Sequence, residues 1–397
     1  MKNKALNSST VLLMAVSAAI IVANINYIQP IEADIAQQFN LANAVVGAVA
    51  MLTQLGYAFG LLLIVPMGDI VNRRTLILRL LALAILSALL AFIAPNIWVY
   101  AVASLLIGVT SVAPQVIIPY AGFLAPRGQR GRVLGNVLSG LLVGVLLSRT
   151  VSGVLASVMP WQNVYLLAAV MIALLGVVLI KKLPQDPVTR HRTTYLEMIK
   201  TVPQLVKRYP VLRASAVNGF VLFGVSNVFW ATLVFYLQRQ YGWGSREAGL
   251  LALLGVTGVL AAPVIGRLAD HFKPRTIIGL GLVLSTLAYG VFIVFGTRIA
   301  GLICGIIILD LGTQFGQVAN QARIQNIDPH ASSRFNSVFM FGYFMGGALG
   351  SFFGNLLWGL AGWNGVCGLA FGVLILGFYA HFVHYPHVVK RHGTVTN

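Results

Sequence analysis

The chain reads as an all-α integral membrane protein: twelve transmembrane helices in two pseudo-symmetric six-helix bundles. Three observations carry that expectation. Hydrophobic residues make up 58% of its 397 positions and charged residues 9%, against about 25% charged in a soluble domain. Twelve runs approach the roughly 20 apolar residues that cross a bilayer, near 10–29, 42–66, 76–94, 97–119, 133–158, 163–180, 212–237, 246–266, 276–295, 299–320, 335–357 and 365–383. A charged turn also occurs twice, as Val65-Pro-Met-Gly-Asp69-Ile-Val-Asn-Arg73-Arg74 and as Gly266-Arg-Leu-Ala-Asp270-His-Phe-Lys-Pro-Arg275. Asp69 and Asp270 are 201 positions apart, and so are Arg74 and Arg275.

The net charge is +18, which in a soluble protein would suggest nucleic acid as a partner. Here its placement encodes topology. With the N-terminus in the cytoplasm, every Lys and Arg except Arg149, Arg239, Arg246 and Arg298 falls at or near a cytoplasmic segment, as the positive-inside bias requires. No nucleic-acid partner is expected; the bilayer is the partner. Trp98, Trp161, Trp243 and Trp363 fall at outer helix ends, where an interfacial belt is expected. The first apolar run has no small-residue cleavage site and is expected to stay as the first helix. Cys304 and Cys367 lie in apolar spans and read as buried thiols, with no disulfide or metal spacing.

Taken in order, the first span ends at Asn24-Ile-Asn-Tyr27-Ile-Gln29-Pro30, since proline disfavours helix at the residue before it. Glu32 and Asp34 follow. They read either as a solvated outer turn or as a proton or cation site at the outer mouth. The fourth span carries Pro114, Gln115 and Pro119, which permit a bend beside a cavity. The fifth reads Gly140-x3-Gly144-x3-Ser148-Arg149-x2-Ser152-Gly153, a stripe of small residues on which another helix packs closely. Residues 181–211 are a basic, proline-bearing cytoplasmic linker, with a short interfacial amphipathic helix beginning at Tyr195. This divides the chain into 1–180, 181–211 and 212–397.

The second half repeats the first. Tyr236-Leu-Gln238 echoes Tyr27-Ile-Gln29, and Arg334 stands 202 positions after Arg132. At that same offset Gly342, Gly346, Gly350 and Gly354 match Gly140, Gly144, Ser148 and Ser152. Such internal repeats mark secondary transporters. No phosphate-binding loop and no metal-spaced His or Cys cluster is present, so no enzyme, cofactor or metal is expected.

Together these features resemble the major facilitator superfamily, and within it the twelve-helix drug:proton antiporter and sugar-efflux branches. The resemblance covers nearly the whole chain. Its strongest element is the loop after the second span, the family's Gly-x-Leu-Ala-Asp-Arg-x-Gly-Arg-Arg motif, present in both halves. It implies a gating role for Asp69, Arg73, Arg74, Asp270 and Arg275. In the family the acid contacts the N-terminal end of the eleventh helix, and the arginines brace neighbouring cytoplasmic helix ends. Arg132 and Arg334 join this gating set. Val65, Ile70 and Asn72 depart from the motif in the first copy, and Lys273-Pro274 interrupts the second. Ser104 stands where the antiporter branch carries an intramembrane arginine, and Arg149 where its fifth-helix motif has proline.

Arg149 and Asp310 sit deep in their spans, and mid-membrane charges nearly always face a partner or a wet cavity. Two readings stay open: structural groups, each satisfied by nearby carbonyls, amides or each other, or groups that line or gate a central cavity. Proton-coupling candidates are Asp310, Arg149, Glu32 and Asp34. The resemblance implies a cavity lined by the first, fourth, seventh and tenth helices. The candidate substrate contacts are therefore Asn24, Tyr27, Gln29, Gln115, Asn218, Asn227, Trp230, Tyr236, Gln314 and Gln317. Gln314, Gln317 and Gln321 continue one polar helix face from Asp310.

The expected function is secondary active transport of a small organic solute across a bacterial inner membrane, by alternating access, as proton-coupled efflux from a monomer with both termini cytoplasmic. Sugar or nutrient uniport or symport is the alternative within transport. A non-transporting membrane receptor or scaffold is the alternative of another class.

Overall fold

The computed structural model describes residues 7–126, 129–185, 195–325, 327 and 332–383. Among them every regular element is helical. The first half comprises α1 (Ser8–Phe39), α2 (Asn43–Gly68), α3 (Arg73–Phe92), α4 (Ile97–Leu124), α5 (Arg132–Ala156) and α6 (Gln162–Lys182). The second comprises α7 (Pro210–Tyr241), α8 (Ser245–Leu268), α9 (Pro274–Phe295), α10 (Ile299–Gln325), α11 (334–361) and α12 (363–382). The last two form one continuous apolar stretch interrupted at Gly362, where φ 59° and ψ −148° are open to glycine alone. We call the face that carries Ser8 and Phe382 the terminal face, and the opposite one the distal face.

Local chemistry sets several boundaries. Asn72 and Asn96 cap α3 and α4, accepting from the backbone N–H of Thr75 and Val99 at 3.0 Å each. Glu247 reaches back to the Gly244 N–H at 2.9 Å and closes a box at the start of α8. Gly242, at φ 67°, ends α7. Pro210 opens α7 at its first turn, where a missing N–H costs nothing.

The first span does not end at residue 29, as Pro30 suggested. The backbone turns at Asn24–Tyr27 and restarts as helix over Ile28–Phe39, so Pro30 falls in a first turn and its missing donor is harmless. Glu32 and Asp34 therefore lie inside α1, and Glu32 is fully buried, not in a solvated turn. Trp161 is also no belt residue: it is buried, and its indole donates to Gln38 Oε1 at 2.7 Å. Cys367 is buried as expected, but Cys304 is exposed on the outer surface of α10, because apolar spans also face lipid.

Small residues set the helix spacing within each half. A Cβ on Gly140 or Gly144 of α5 would collide with the α1 backbone at Ala15 or Ala19. In the second half Gly346 and Gly350 of α11 meet the α7 backbone at Phe220 and Gly224. The repeated stripe thus packs α5 on α1 and α11 on α7. Lipid tails are as apolar as leucine, so close van der Waals approach drives this association. The halves meet along two seams, α2 with α11 and α5 with α8. In the second seam most contacts fall on Ser245–Gly255, the distal part of α8. The amphipathic helix Tyr195–Arg208 lies against the first seam: Tyr195 Oη donates to Leu63 O at 2.7 Å, and Val202 and Val206 share a groove with Leu62 and Phe341.

Inside the first half α2 packs closely against α4. A Cβ on Gly108 would lie 2.8 Å from Tyr57 N and 3.0 Å from Gly56 Cα. Overpacking costs about 1–3 kcal/mol even where side chains can yield, and here backbone must yield. Gly108→Val is therefore expected to lower the thermal unfolding midpoint in detergent. Gly290→Val, with nothing within 4 Å of the added Cβ, is expected to leave it unchanged. Thermal unfolding followed by size-exclusion chromatography compares the two.

Candidate functional site

A cavity of about 180 Å³ lies between the halves near mid-depth. Its walls come from α1, α2, α4 and α5 on one side and from α7, α8, α10 and α11 on the other, while α3, α6, α9 and α12 contribute nothing to it. Asp310, Gln314 and Gln317 share one face of α10 because their spacings of four and three keep them within one stripe. Gly255 and Gly258 of α8 leave the opposite wall without side chains. A Cβ on Gly255 would stand 3.2 Å from Asp310 Oδ2, and one on Gly258 would stand 3.0 Å from Gln314 Cγ.

Arg149 enters from α5. Its Nε donates to Gln29 Oε1 at 2.5 Å, and its guanidinium carbon lies 4.6 Å from the Trp230 ring centroid, a cation–π arrangement. Among the described residues Arg149 makes no direct ion pair with Asp310. Trp230 lies against both, since the same side chain reaches the Asp310 carboxylate. The indole thus touches both charged groups, and both line one cavity.

In two further polar pairs the glutamines are related by the internal repeat, while their tyrosine partners come from non-equivalent helices, α2 and α11. Gln115 Nε2 donates to Tyr57 Oη at 3.2 Å, and Tyr343 Oη donates to Gln317 Oε1 at 3.1 Å. Gln317 stands 202 positions after Gln115, the interval of the duplicated motif. Each half thus presents one glutamine braced by one tyrosine. Aromatic rings complete that wall: Phe223 stacks on Tyr343 at 3.9 Å between centroids, and Tyr57 tilts against Phe344 at 4.4 Å.

Above the cavity the distal side is closed by polar contacts between the halves. Gln29 Nε2 and Gln54 Nε2 both donate to Asn227 Oδ1, at 3.0 and 3.4 Å. Asn355 Nδ2 donates to Glu32 Oε2 at 2.9 Å, with both residues buried. Ser245 bonds Asp34, and Thr150 Oγ1 donates to Gly249 O at 2.7 Å. Glycine at 47 makes room for Asn355, whose Cγ would lie 2.7 Å from a Cβ there.

Of the candidate residues, the cavity gathers Gln115, Arg149, Trp230, Asp310, Gln314 and Gln317. Gln29 and Asn227 stand above it in the distal closure, with Glu32 and Asp34 beyond. Four others lie elsewhere. Asn24 donates to Ile21 O at 3.0 Å within its own helix, and Asn218 is buried. Tyr27 and Tyr236 pack into apolar clusters, Tyr236 against Trp363 at 4.1 Å. The sequence reasoning missed Asn26, Tyr57, Phe223 and Tyr343 in the cavity and Gln54 and Asn355 in the closure. It drew the lining from four helices and overlooked α2 and α11, although a polar side chain inside each of those spans was visible.

At the terminal face, Arg74 Nη2 donates to Ile180 O at 2.6 Å and Arg275 Nη2 to Phe382 O at 3.1 Å. These are the last-turn carbonyls of α6 and α12, where unpaired C=O groups favour a cation. Arg73 Nε donates to Gly68 O at 2.9 Å. Arg132 is exposed at the start of α5, and Arg334 is half-buried at the start of α11. The side chains of Asp69 and Asp270 lie outside the described residues.

The major facilitator superfamily profile matches residues 11–259 and 215–396. The chain belongs to the major facilitator superfamily. It is a membrane transporter and not an enzyme. It is 35% identical over 367 residues to the uncharacterized transporter YgaY of Escherichia coli O157:H7, covering 92% of this chain and 93% of that one. It is 30% identical to the probable transporter SCO4007 of Streptomyces coelicolor, over 93% of this chain and 86% of that one. A probable sugar efflux transporter of Helicobacter pylori (strain P12) is 24% identical over 88% of each chain. Its fold matches that of a bacterial homologue of the human lysosomal transporter Spinster, with a TM-score of 0.76, 14% identity, and coverage of 95% of this chain and 96% of that one.

The Glu32–Asn355 bond joins buried partners across the halves, and leaving a buried polar group without its partner costs about 1–3 kcal/mol. Asn355→Leu is expected to shift the population toward a distally open form by about tenfold or more. Maleimide applied from the distal face, to a protein carrying Ser226→Cys in place of its native cysteines, reads this as faster labelling.

Proposed function

We propose that this transporter exports a small organic solute across the inner membrane by proton-coupled alternating access, as a monomer with both termini in the cytoplasm. The charge asymmetry along the chain supports the orientation. The two halves, 1–180 and 212–397, rock about the cavity, with 181–211 as the cytoplasmic link. The observation that carries the coupling is Asp310: among the described cavity residues it is the one acid, it lies at mid-depth, and Arg149 faces the same space. A carboxylate there exchanges protons with whichever side the cavity opens to, and Arg149 biases its charge.

Asn24, Tyr27, Asn218 and Tyr236 do not line the cavity in this conformation, so substrate contact is assigned first to Gln115, Trp230, Gln314 and Gln317. Outward opening must break the Gln29–Asn227, Glu32–Asn355 and Asp34–Ser245 contacts, which places Glu32 and Asp34 in the distal gate. Asp69 is assigned to the other gate, because the family resemblance implies that this acid contacts the N-terminal end of α11. Arg73, Arg74 and Arg275 hold helix ends rigid while the halves move, and Asp270, Arg132 and Arg334 belong to the same cytoplasmic layer. A second reading, sugar movement, is favoured by the amide-rich lining and by the Helicobacter pylori relative. As uniport it predicts flux indifferent to pH.

Proteoliposome flux with and without an imposed pH gradient separates these readings. Asp310→Asn is expected to abolish gradient-driven flux while eluting as a folded monodisperse species; undiminished gradient dependence sinks the coupling assignment. Asp69→Asn is expected to impair flux while sparing membrane insertion and ligand binding, and normal flux in that variant removes it from the gate.

A further inference from the structure

The cavity offers one acid and one base that no direct ion pair consumes. Arg149 uses Nε on Gln29, and its planar face rests on Trp230. Its two terminal nitrogens have no protein acceptor among the described residues, and they open on the cavity that Asp310 also lines. The Gln314 amide makes no hydrogen bond to any described residue and lies one turn along α10 from Asp310, on the same wall. Lining the same cavity, Phe223 and Tyr343 stack with planes 15° apart, and Tyr57 and Phe344 continue an aromatic surface.

Charge balance narrows what fits between these walls. Opposite charges kept apart in a space partly shielded from water are each incompletely compensated. A monocation entering satisfies Asp310 and leaves Arg149 facing an unmatched site. A monoanion does the reverse. A sugar brings hydroxyl groups but no charge for either. A zwitterion compensates both at once, because a guanidinium takes a carboxylate through two parallel N–H donors and Asp310 with the Gln314 carbonyl accepts from an ammonium. The volume of about 180 Å³ is below the roughly 300–1,000 Å³ of drug-sized sites, so the solute is small. Its apolar part meets aromatic rings.

We propose that the central cavity takes a small zwitterion, with a carboxylate for Arg149, an ammonium for Asp310 and an aromatic or branched apolar body against the Phe223–Tyr343 wall. This deepens the transport role proposed above and rests on it. It also gives Trp230 a role: its contacts with Arg149 and Asp310 hold both groups where they line the cavity.

The test is equilibrium binding to the full chain in lipid nanodiscs with no gradient, by isothermal titration. The probes are L-phenylalanine, phenethylamine, 3-phenylpropanoate and glucose. Phenylalanine is expected to bind at least about tenfold tighter than each of the others. Equal or tighter binding of a singly charged analogue or of glucose, or no binding of phenylalanine, overturns the proposal. Arg149→Gln is expected to erase the advantage of phenylalanine over phenethylamine. Asp310→Asn is expected to erase its advantage over 3-phenylpropanoate. Both are checked for monodisperse elution, and the wild-type ranking decides the proposal if either fails to fold. Binding without gradient-driven flux of phenylalanine sinks the proton coupling and leaves the ligand class standing. Gradient-driven flux of another solute with no phenylalanine binding does the opposite.

Discussion

The structure depends on a polar seam inside an apolar protein. Arg149, Gln29, Asn227 and Gln54 join α5, α1, α7 and α2 through three hydrogen bonds at the junction of the halves. Hydrocarbon offers no substitute partner for such groups, so they pair with one another or meet water in the cavity. That constraint holds the halves together distally without apolar fusion. Polar contacts of this kind break and re-form as water enters, whereas a packed apolar interface would have to expose its whole area. Contacts of this kind suit the distal gate proposed for alternating access.

Duplication explains much of the rest. Parallel repeats in this superfamily are related by an axis along the membrane normal, so each device appears once in each half. The glycine stripe packs α5 on α1 and α11 on α7. Arg74 and Arg275 each bind the last-turn carbonyls of the sixth helix of their half. Gln115 and Gln317 are repeat-related at the cavity wall, although the tyrosines they pair with come from non-equivalent helices. The symmetry fails where chemistry concentrates. Ser351 stands 202 positions after Arg149, and Gly108 stands 202 before Asp310. The two deep charges are thus single additions to a duplicated frame, one on each half, brought to face a common space.

Helix number and repeat were legible in the sequence because each follows from composition and interval alone. Twelve apolar runs must be helices in lipid, charged turns must lie outside it, and a 201-residue spacing of Asp69 and Asp270 is independent of folding. The extent of α1 was not legible. Pro30 looks like a terminator in sequence, and only the turn at Asn24–Tyr27 shows that it begins a second helical piece. The burial of Glu32 follows from that one local geometry.

The sequence by itself determined that Arg149 and Asp310 lie deep in the membrane and that Gln314 and Gln317 share a face with Asp310, because depth and helical phase are properties of one span. Only the tertiary structure decided which spans face each other. It took Tyr27 and Tyr236 into apolar packing, raised Gln29 and Asn227 into the distal closure, and brought Tyr57 and Tyr343 to the cavity from helices that sequence reasoning had left out. It also set Trp230 against both the acid and the base. Membrane helices share nearly the same apolar composition on every face, so periodicity carries little information about partners. Steric fit at particular glycines, such as Gly255 and Gly258 opposite Asp310, is what selects them.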